Sequence, residues 1–302
     1  MNQHHIRGPV GGWAPPHPGG RGAAVAMLAV TASLIVVGCS TITSPERGAA
    51  ATVAPSAAHS PTATPRATPS LAPRPWPAPI QAAMSVIAAE TTVPLEAPRD
   101  LPLAETTPNS VTTSAGADRY QVTLYHCPRP LPANAAGVGN GSCGAMANLY
   151  GGFGGSSLPS AAAAAHYVLE RTPQPPPGCV KQTRVQLQSG LDATLFSVPA
   201  SGRTCLVSWH EGDWTMTVDG ELGGGVQSGS SAGWMGVAKA VVSYLNRYLL
   251  PPTEGSFVCD LAPDGLHTSL TWAVGSTVYT VEVTHGAVPA AEMAVSMSSL
   301  PS

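Results

Sequence analysis

The chain contains few charged and few aromatic residues. Asp, Glu, Lys and Arg make up 10% of its 302 residues, and Phe, Trp and Tyr make up 5%. In a typical domain about a quarter of the residues are charged. The 17 acidic residues outnumber the 14 basic ones, and the basic ones form no run. Because nucleic-acid binding requires a basic surface, we do not expect a nucleic-acid partner.

Several short motifs that mark catalytic and metal sites are also missing. The sequence contains no HExxH motif, no SxxK motif, and neither the CxxC nor the HxxxH spacing of zinc sites. Residues 139–144 fit GxGxxG, but they follow a proline-rich loop rather than a strand, which argues against a phosphate-binding loop. We therefore expect no metal and no cofactor, and a binding role is favoured over catalysis.

Long apolar runs are absent after residue 38. The one extended apolar segment, residues 23–37, is interrupted only by Thr31 and Ser33. It is shorter than the roughly 20 residues that a membrane span needs. It follows a polar leader that has two arginines and no acidic residue. A basic start, a short apolar core and small residues after it are typical of an export signal.

The export signal ends in Val36-Val37-Gly38-Cys39. This stretch resembles the lipobox of bacterial prolipoproteins, in which a small residue precedes an invariant cysteine. The resemblance covers only the N-terminal segment. It implies that residues 1–38 are a type II signal peptide, that the bond between Gly38 and Cys39 is cleaved, and that the Cys39 thiol carries diacylglycerol. Palmitate or a similar chain on the new amino group is implied as well.

The lipid would hold the protein on the extracytoplasmic face of a bacterial membrane. Two or three acyl chains give stable anchoring, since each buried CH₂ contributes about 0.8 kcal/mol. The implied partners are the membrane, through the lipid on Cys39, and cell-wall or envelope components. Loss of the two leader arginines would change the formal charge from −3 to −5. The alternative is an uncleaved N-terminal helix in which Cys39 is incidental.

Residues 39–117 are rich in Pro, Ala and Thr, and we expect a disordered linker there. A segment of this composition buries too little apolar surface to offset the entropy that is lost on ordering. Its prolines favour extended polyproline II segments, which stiffen the chain. Within the linker, residues 80–97 are compatible with a short helix. We expect the folded domain to begin at Asp118.

Residues 118–302 are enough for one domain with a hydrophobic core. Alternating apolar residues predict strands and hairpins, and apolar residues at helical spacing predict helices. The predicted strands and hairpins are 120–127, 179–187, 192–198, 203–220 and 267–284, and the predicted helices are 158–171, 234–250 and 289–300. This order predicts an α+β domain with a mainly antiparallel sheet and helices packed on one face.

The two predicted hairpins match each other without gaps. Five residues of the first hairpin region recur 63 positions later, namely Gly202, Trp209, Gly212, Thr217 and Val218. Each hairpin is followed by a predicted helix, which indicates a duplicated hairpin-plus-helix unit. The alternative is that Trp and Gly recur in hairpins for local reasons.

Five cysteines would remain in the exported chain after lipidation of the first. Outside the cytoplasm most of them should pair, and the sequence alone allows several pairings. We favour Cys127–Cys143, which closes a Gly/Pro-rich loop, and Cys179–Cys205, which joins neighbouring strands. Cys259 would then be unpaired, and either buried or available for an intermolecular bridge.

The densest group of titratable residues is His210, Glu211 and Asp213, at the turn of the first hairpin. A turn can present such side chains to a substrate, but a solvated turn is the ordinary explanation. Two functions follow. The favoured one is a lipid-anchored cell-envelope lipoprotein whose domain binds a ligand or a partner. The alternative is a small extracellular hydrolase with its active site near this turn, which would need another His, Ser or Asp within hydrogen-bond reach.

Overall fold

The computed structural model describes residues 75–102, 107–140, 143, 149–220, 231–262 and 265–300. The chain divides into two units, Met1–Ala67 and Thr68–Ser302, and every described residue lies in the second. The predicted signal peptide, the cleavage site at Gly38, the lipid site at Cys39 and the first part of the predicted linker lie outside the described residues.

Four helices and twelve strands occur in the described residues. The helices are α1 (Ala78–Ile87), α2 (Ala161–Glu170), α3 (Ser231–Leu245) and α4 (Ala287–Val295). The strands are β1 (Glu96–Pro98), β2 (Ser110–Gly116), β3 (Arg119–Tyr125), β4 (Leu149–Ser157), β5 (Lys181–Gln188), β6 (Leu191–Ser197), β7 (Thr204–Glu211), β8 (Trp214–Asp219), β9 (Gly255–Ala262), β10 (Gly265–Val274), β11 (Thr277–Val283) and β12 (Met297–Ser299).

Ten of these strands form one sheet, in the order β2-β3-β4-β11-β10-β9-β8-β7-β6-β5, and β1 pairs with β12 in a small separate sheet. All neighbours in the large sheet are antiparallel except β8 and β9, which are parallel and are connected through α3. The prediction of an α+β domain with a mainly antiparallel sheet is therefore confirmed.

One face of the large sheet is apolar and carries the main hydrophobic core. Its largest side chains are at most 2% exposed and neighbour one another across the strands. They include Trp209, Met216, Phe257, Trp272 and Tyr279. Helices α1, α3 and α4 supply the other layer of the same core. The prediction that helices share one face holds for these three.

Helix α2 is the exception, because it lies on the opposite face. It contacts β9, β10 and β11, and the carbonyl of Arg171 at its C-terminus accepts a hydrogen bond from Ser256 Oγ at 3.5 Å. Ser256 precedes the core residue Phe257, so its side chain points away from the main core. The buried residues of α2, Ala164 and Val168, accordingly lie outside that core. Helix α2 belongs to the connection that leads from β4, inside the sheet, to β5 at its edge.

The folded domain begins before Asp118. Helix α1 buries apolar side chains in the main core, at the spacing i, i+3, i+4 and i+7: Ile80, Ala83, Met84 and Ile87. Strand β2 pairs with β3 along its whole length. The predicted linker 39–117 is therefore wrong for its described part from residue 75 onward. The short helix expected within residues 80–97 is present, as Ala78–Ile87, but it belongs to the folded domain rather than to a linker, because its apolar face packs in the main core.

Strand β4 was missed because its sequence, LYGGFGGSS, is rich in glycine, which normally weakens a strand. Glycine is needed here because neighbouring strands approach very closely. A Cβ atom on Gly152 would lie 2.5 Å from the carbonyl oxygen of Val122, and one on Gly154 would lie 2.5 Å from that of Tyr120. Only glycine fits these positions without displacing backbone atoms.

The two hairpins have the same register. Trp209 lies opposite Met216 in β7–β8, and Trp272 lies opposite Tyr279 in β10–β11. The glycine at each turn, Gly212 or Gly275, has a φ of +60°. Each hairpin is preceded by an antiparallel strand and followed by a helix, giving β6-β7-β8-α3 and β9-β10-β11-α4. This similarity supports the interpretation of a duplicated unit.

Two disulfide bonds join the pairs that the sequence analysis favours, Cys127–Cys143 and Cys179–Cys205. The first closes the loop after β3, and the second ties the segment before β5 to β7. Cys259 is free and fully buried, so the thiol is not available for an intermolecular bridge. Disulfides of this kind are typical of a domain outside the reducing cytoplasm.

The close approach at β4 gives a direct test of the fold. Gly154→Ala should destabilise the domain by about 3 kcal/mol, because the added methyl group meets the Tyr120 carbonyl oxygen and the strands must separate. Urea unfolding followed by circular dichroism measures the change.

Gly236→Ala is the matched control, since a Cβ at this position of α3 meets open space. Here the same change should stabilise the protein, by about 0.5–1 kcal/mol, because alanine favours the helix. Equal effects at the two glycines would contradict the close approach of β4.

Candidate functional site

Three neighbouring strands bring Asp219, Asp260 and His267 together. In the parallel pair β8–β9, Asp219 lies beside Asp260, and in the antiparallel pair β9–β10, Asp260 lies opposite His267. Opposed residues on neighbouring strands share a face, with Cβ atoms about 4.5–5.5 Å apart. Since Cys259 is buried in the core, its neighbour Asp260 points to the polar face. We call these three residues the acid–histidine cluster, and all three are half-buried.

The cluster lies towards the carboxyl ends of β8 and β9. Helix α2 meets the polar face at Ser256, near the other end of β9. Four residues separate Ser256 from Asp260, which corresponds to about 13 Å along a strand. Helix α3 connects β8 to β9 on the apolar face. Within the described part of the chain, α2 therefore does not extend over this end of the polar face, although the face is not fully open there, since Leu206 opposite Asp219 is buried.

The carboxyl group of Asp219 is strongly perturbed. Burial, followed by the charge of Asp260, raises the pKa of Asp219 to about 6. Its Oδ1 atom is buried and has no hydrogen-bond partner. A buried oxygen without a donor costs free energy. A ligand whose N–H or O–H group reached this atom would remove that cost.

Hydroxyl groups occupy the next row of residues on the polar face. Ser208 lies opposite Thr217, Thr217 lies beside Val258, and Val258 lies opposite Ser269. Thr217 is buried and donates its Oγ1 hydrogen bond to the Phe257 carbonyl at 3.1 Å. Both serines are half-buried. The surface beside the cluster therefore offers hydroxyl groups along this row, and the buried Leu206 lies opposite Asp219 on its other side.

These groups suit a ligand that is rich in hydrogen-bond donors. Ionised carboxylates only accept hydrogen bonds, whereas serine hydroxyls donate and accept. Sugar hydroxyls and amines provide the matching donors. In the described residues, no group of three or more His, Cys, Asp and Glu side chains is arranged to hold a metal ion.

The turn cluster predicted from the sequence is divided between the two faces of the sheet. His210 is exposed, and its Nδ1 lies 3.5 Å from Thr215 Oγ1. Glu211 is half-buried on the core face, where burial raises the pKa of its carboxyl and the Trp209 indole lowers it only in part. Asp213 is exposed. Successive residues of a strand alternate between faces, so these side chains do not converge.

The acid–histidine cluster was not predicted, although the sequence contains a signal for part of it. The predicted second hairpin begins at His267 and leaves out β9. The stretch LAPDGLH contains Pro-Asp-Gly, which is a strong turn signal between apolar runs. Read as a hairpin, it places Asp260 opposite His267. The neighbour Asp219 could not be found this way, because its pairing with Asp260 depends on the β8–α3–β9 crossover.

A second spacing was also overlooked. Residues 229–233, GSSAG, fit the GxSxG pattern of serine hydrolases, and α3 begins at Ser231. That motif carries its serine on a sharp turn placed directly between a strand and a helix. Here residues 220–230 intervene between β8 and α3. The spacing therefore lacks the strand–turn–helix context that the chemistry needs.

Comparison with protein-family models, with curated proteins and with solved structures finds no match to this chain.

The perturbed carboxyl of Asp219 predicts a specific pH dependence. The ordinary pKa of this carboxyl is 3.8 and its pKa in the folded chain is about 6, so between these values the native state holds a proton that the unfolded state releases. Stability should therefore fall as pH rises from about 4 to about 6, by at most about 3 kcal/mol. Asp219→Asn should reduce this fall, as measured by urea unfolding at a series of pH values.

Asp213→Asn is the control, because it makes the same change at an exposed turn position. This variant should keep the fall shown by the natural chain. A natural chain whose stability rises through this pH range would contradict the assignment.

Proposed function

We propose that the protein is a lipid-anchored lipoprotein of the bacterial cell envelope, whose domain binds a polar, donor-rich ligand of the cell wall or envelope. The proposal has two parts, the anchor and the binding site. They are supported by different observations and are tested separately.

The anchor is supported by the N-terminal sequence. A short apolar segment ends at Gly38-Cys39, and the cysteine has the position that lipidation requires. The two disulfides fit the same compartment, because such bonds persist outside the reducing cytoplasm. None of the described helices is long and apolar enough to cross a membrane.

The binding role rests on one observation, the acid–histidine cluster at the end of the polar face that α2 does not cover. Asp219 has an unpartnered buried oxygen, and Asp260 and His267 stand beside it. A saccharide or amino-sugar chain would present several donors to this surface at once. Half-burial of the cluster leaves it accessible while strengthening each hydrogen bond in a partly dry environment.

The anchor predicts a specific modification. In cells grown with a labelled fatty acid, the natural chain should carry label and enter the detergent phase, and Cys39→Ser should lose the label, since only a thiol forms the thioether. Cys127→Ser is unsuitable as a control because it breaks a disulfide, so Ser40→Ala serves instead. An unlabelled natural chain that retains residues 1–38 would contradict the anchor.

The binding site predicts co-sedimentation with purified peptidoglycan. The full chain carrying Cys39→Ser should sediment with this material, and Asp219→Asn should weaken binding about tenfold, as expected for one hydrogen bond to a charged group. Asp118→Asn, at an exposed turn, is the control and should bind normally. Equal sedimentation of all variants, or none by any, would contradict a ligand at the cluster and would leave the anchor unaffected.

A further inference from the structure

The large sheet is open, and its two outer edges are formed by β2 and β5. An edge strand carries backbone N–H and C=O groups that point away from the sheet and can pair with another strand. The two edges of this sheet differ, and the difference identifies an interaction surface.

The edge formed by β2 is covered by a loop of the same chain. The backbone N–H of Asn134 donates to the Val111 carbonyl at 3.0 Å, and the Asn134 side-chain oxygen accepts from the Thr113 N–H at 2.7 Å. The Leu131 N–H donates to Ser110 Oγ at 2.9 Å. These bonds occupy the outer side of β2, so another strand cannot pair there without displacing the loop.

The edge formed by β5 is exposed. Its backbone pairs with β6 on one side, and in the described part of the chain no other backbone hydrogen bond reaches it. Most of its side chains are exposed to solvent, namely Lys181, Gln182, Thr183, Arg184 and Gln186.

Strand β5 is held firmly at both ends. The Cys179–Cys205 disulfide fixes the residues before it to β7. At the other end, the side-chain amides of Gln188 and Asn246 exchange two hydrogen bonds, at 3.0 and 2.6 Å. An edge that is already ordered loses little entropy when a second strand pairs with it.

The features that usually block an edge lie outside the middle of β5. Lys181 stands at its first position, and the register shift lies between Gln186 and Gln188. The charge of Arg184 is compensated by Asp192 on β6, with Nε 2.7 Å from Oδ2. The stretch 182–186 is therefore regular and electrically balanced.

We propose that β5 pairs with β5 of a second copy of this chain, in antiparallel orientation, about a two-fold axis at Val185. The occupant is a second copy because this strand is complementary to itself. With the axis at Val185, the two Val185 side chains oppose each other, and Thr183 of each copy opposes Leu187 of the other. Arg184 opposes Gln186, which can accept its hydrogen bond.

The position of the two-fold axis decides which charged and apolar side chains of the two β5 strands meet. An axis at Arg184 would place two guanidinium groups face to face, which is unfavourable. An axis at Val185 instead joins apolar groups on the core side of the sheet, since Val185 already packs against the main core and Leu187 belongs to it. The pairing would extend that core across the junction.

The association should be weak and concentration-dependent. A single pair of eight-residue strands buries less than the roughly 1,200–2,000 Å² of a stable protein–protein interface. Copies confined to one surface would reach a higher effective concentration than copies in dilute solution.

Variants of the full chain that carry Cys39→Ser and one added cysteine on β5 test the register without relying on the anchor. Under mild oxidation, Val185→Cys should form a disulfide-linked dimer, because this residue faces its own copy. Thr183→Cys alone and Leu187→Cys alone should not, but a mixture of these two variants should cross-link. Dimers formed at 183 or 187 alone, or none at 185, would overturn the proposal.

Analytical ultracentrifugation supplies the second measurement. The chain should shift from monomer to dimer with rising concentration, and Val185→Lys should abolish the shift by opposing two ammonium groups. Ser114→Lys, at an exposed position of the covered β2 edge, should retain it. A chain that stays monomeric throughout its soluble range would overturn the proposal, and unchanged dimerisation of a folded Val185→Lys variant would do the same.

Discussion

The pairing of β4 with β11 is the contact on which the rest of the domain depends. It joins Leu149–Ser157 to Thr277–Val283 and so unites the strands from the start of the domain with those from its end. The pairing is possible because β4 has glycine at position 151, where a Cβ atom would meet the Glu282 carbonyl of β11, while Gly152 and Gly154 allow the equally close approach of β3 on the other side. Gly155 has a related role, since a Cβ there would lie 2.7 Å from the ring of Tyr120. The tyrosine ring thus occupies space that the glycine leaves, and its hydroxyl reaches β1 by donating to the Glu96 carbonyl at 2.8 Å.

The continuous sheet separates two environments. Its apolar face, with α1, α3 and α4, contains the main core, and this face supplies the stability of the domain. Its polar face is covered by α2 near β9, β10 and β11. Because α2 crosses the polar face, it buries little apolar surface. Its side chains, such as Ala164, are small and allow the helix to lie close to the sheet. The part of this face that α2 does not cover carries the acid–histidine cluster. The polar face is thus the side of the sheet that can hold a ligand without disturbing the core.

The cluster lies at the junction of the two similar hairpin-plus-helix units, β6-β7-β8-α3 and β9-β10-β11-α4. Asp219 ends the last strand of the first unit, and Asp260 and His267 belong to the first hairpin of the second. The units meet through the parallel pair β8–β9, which brings the two carboxyl groups side by side. Burial, and after it the charge of Asp260, then raises the pKa of Asp219. A single unit contains only part of this arrangement, so a duplication would have created the site together with the interface between the units.

The sequence by itself determined much of the local secondary structure and which cysteines pair. Alternation identified the two hairpins, and alanine-rich and amphipathic segments identified α2 and α3. Loop closure favoured Cys127–Cys143, and the expected proximity of two strands favoured Cys179–Cys205. These features depend on neighbours in the chain or on simple apolar periodicity.

Only the tertiary structure decided that α1 belongs to the domain, that the glycines of β4 form a strand inside the sheet, and that Asp219 stands beside Asp260. Each of these depends on contacts between distant segments. A glycine-rich stretch has no strand preference of its own. Which residue stands beside another on the next strand is fixed by the order of the strands, which local sequence does not encode.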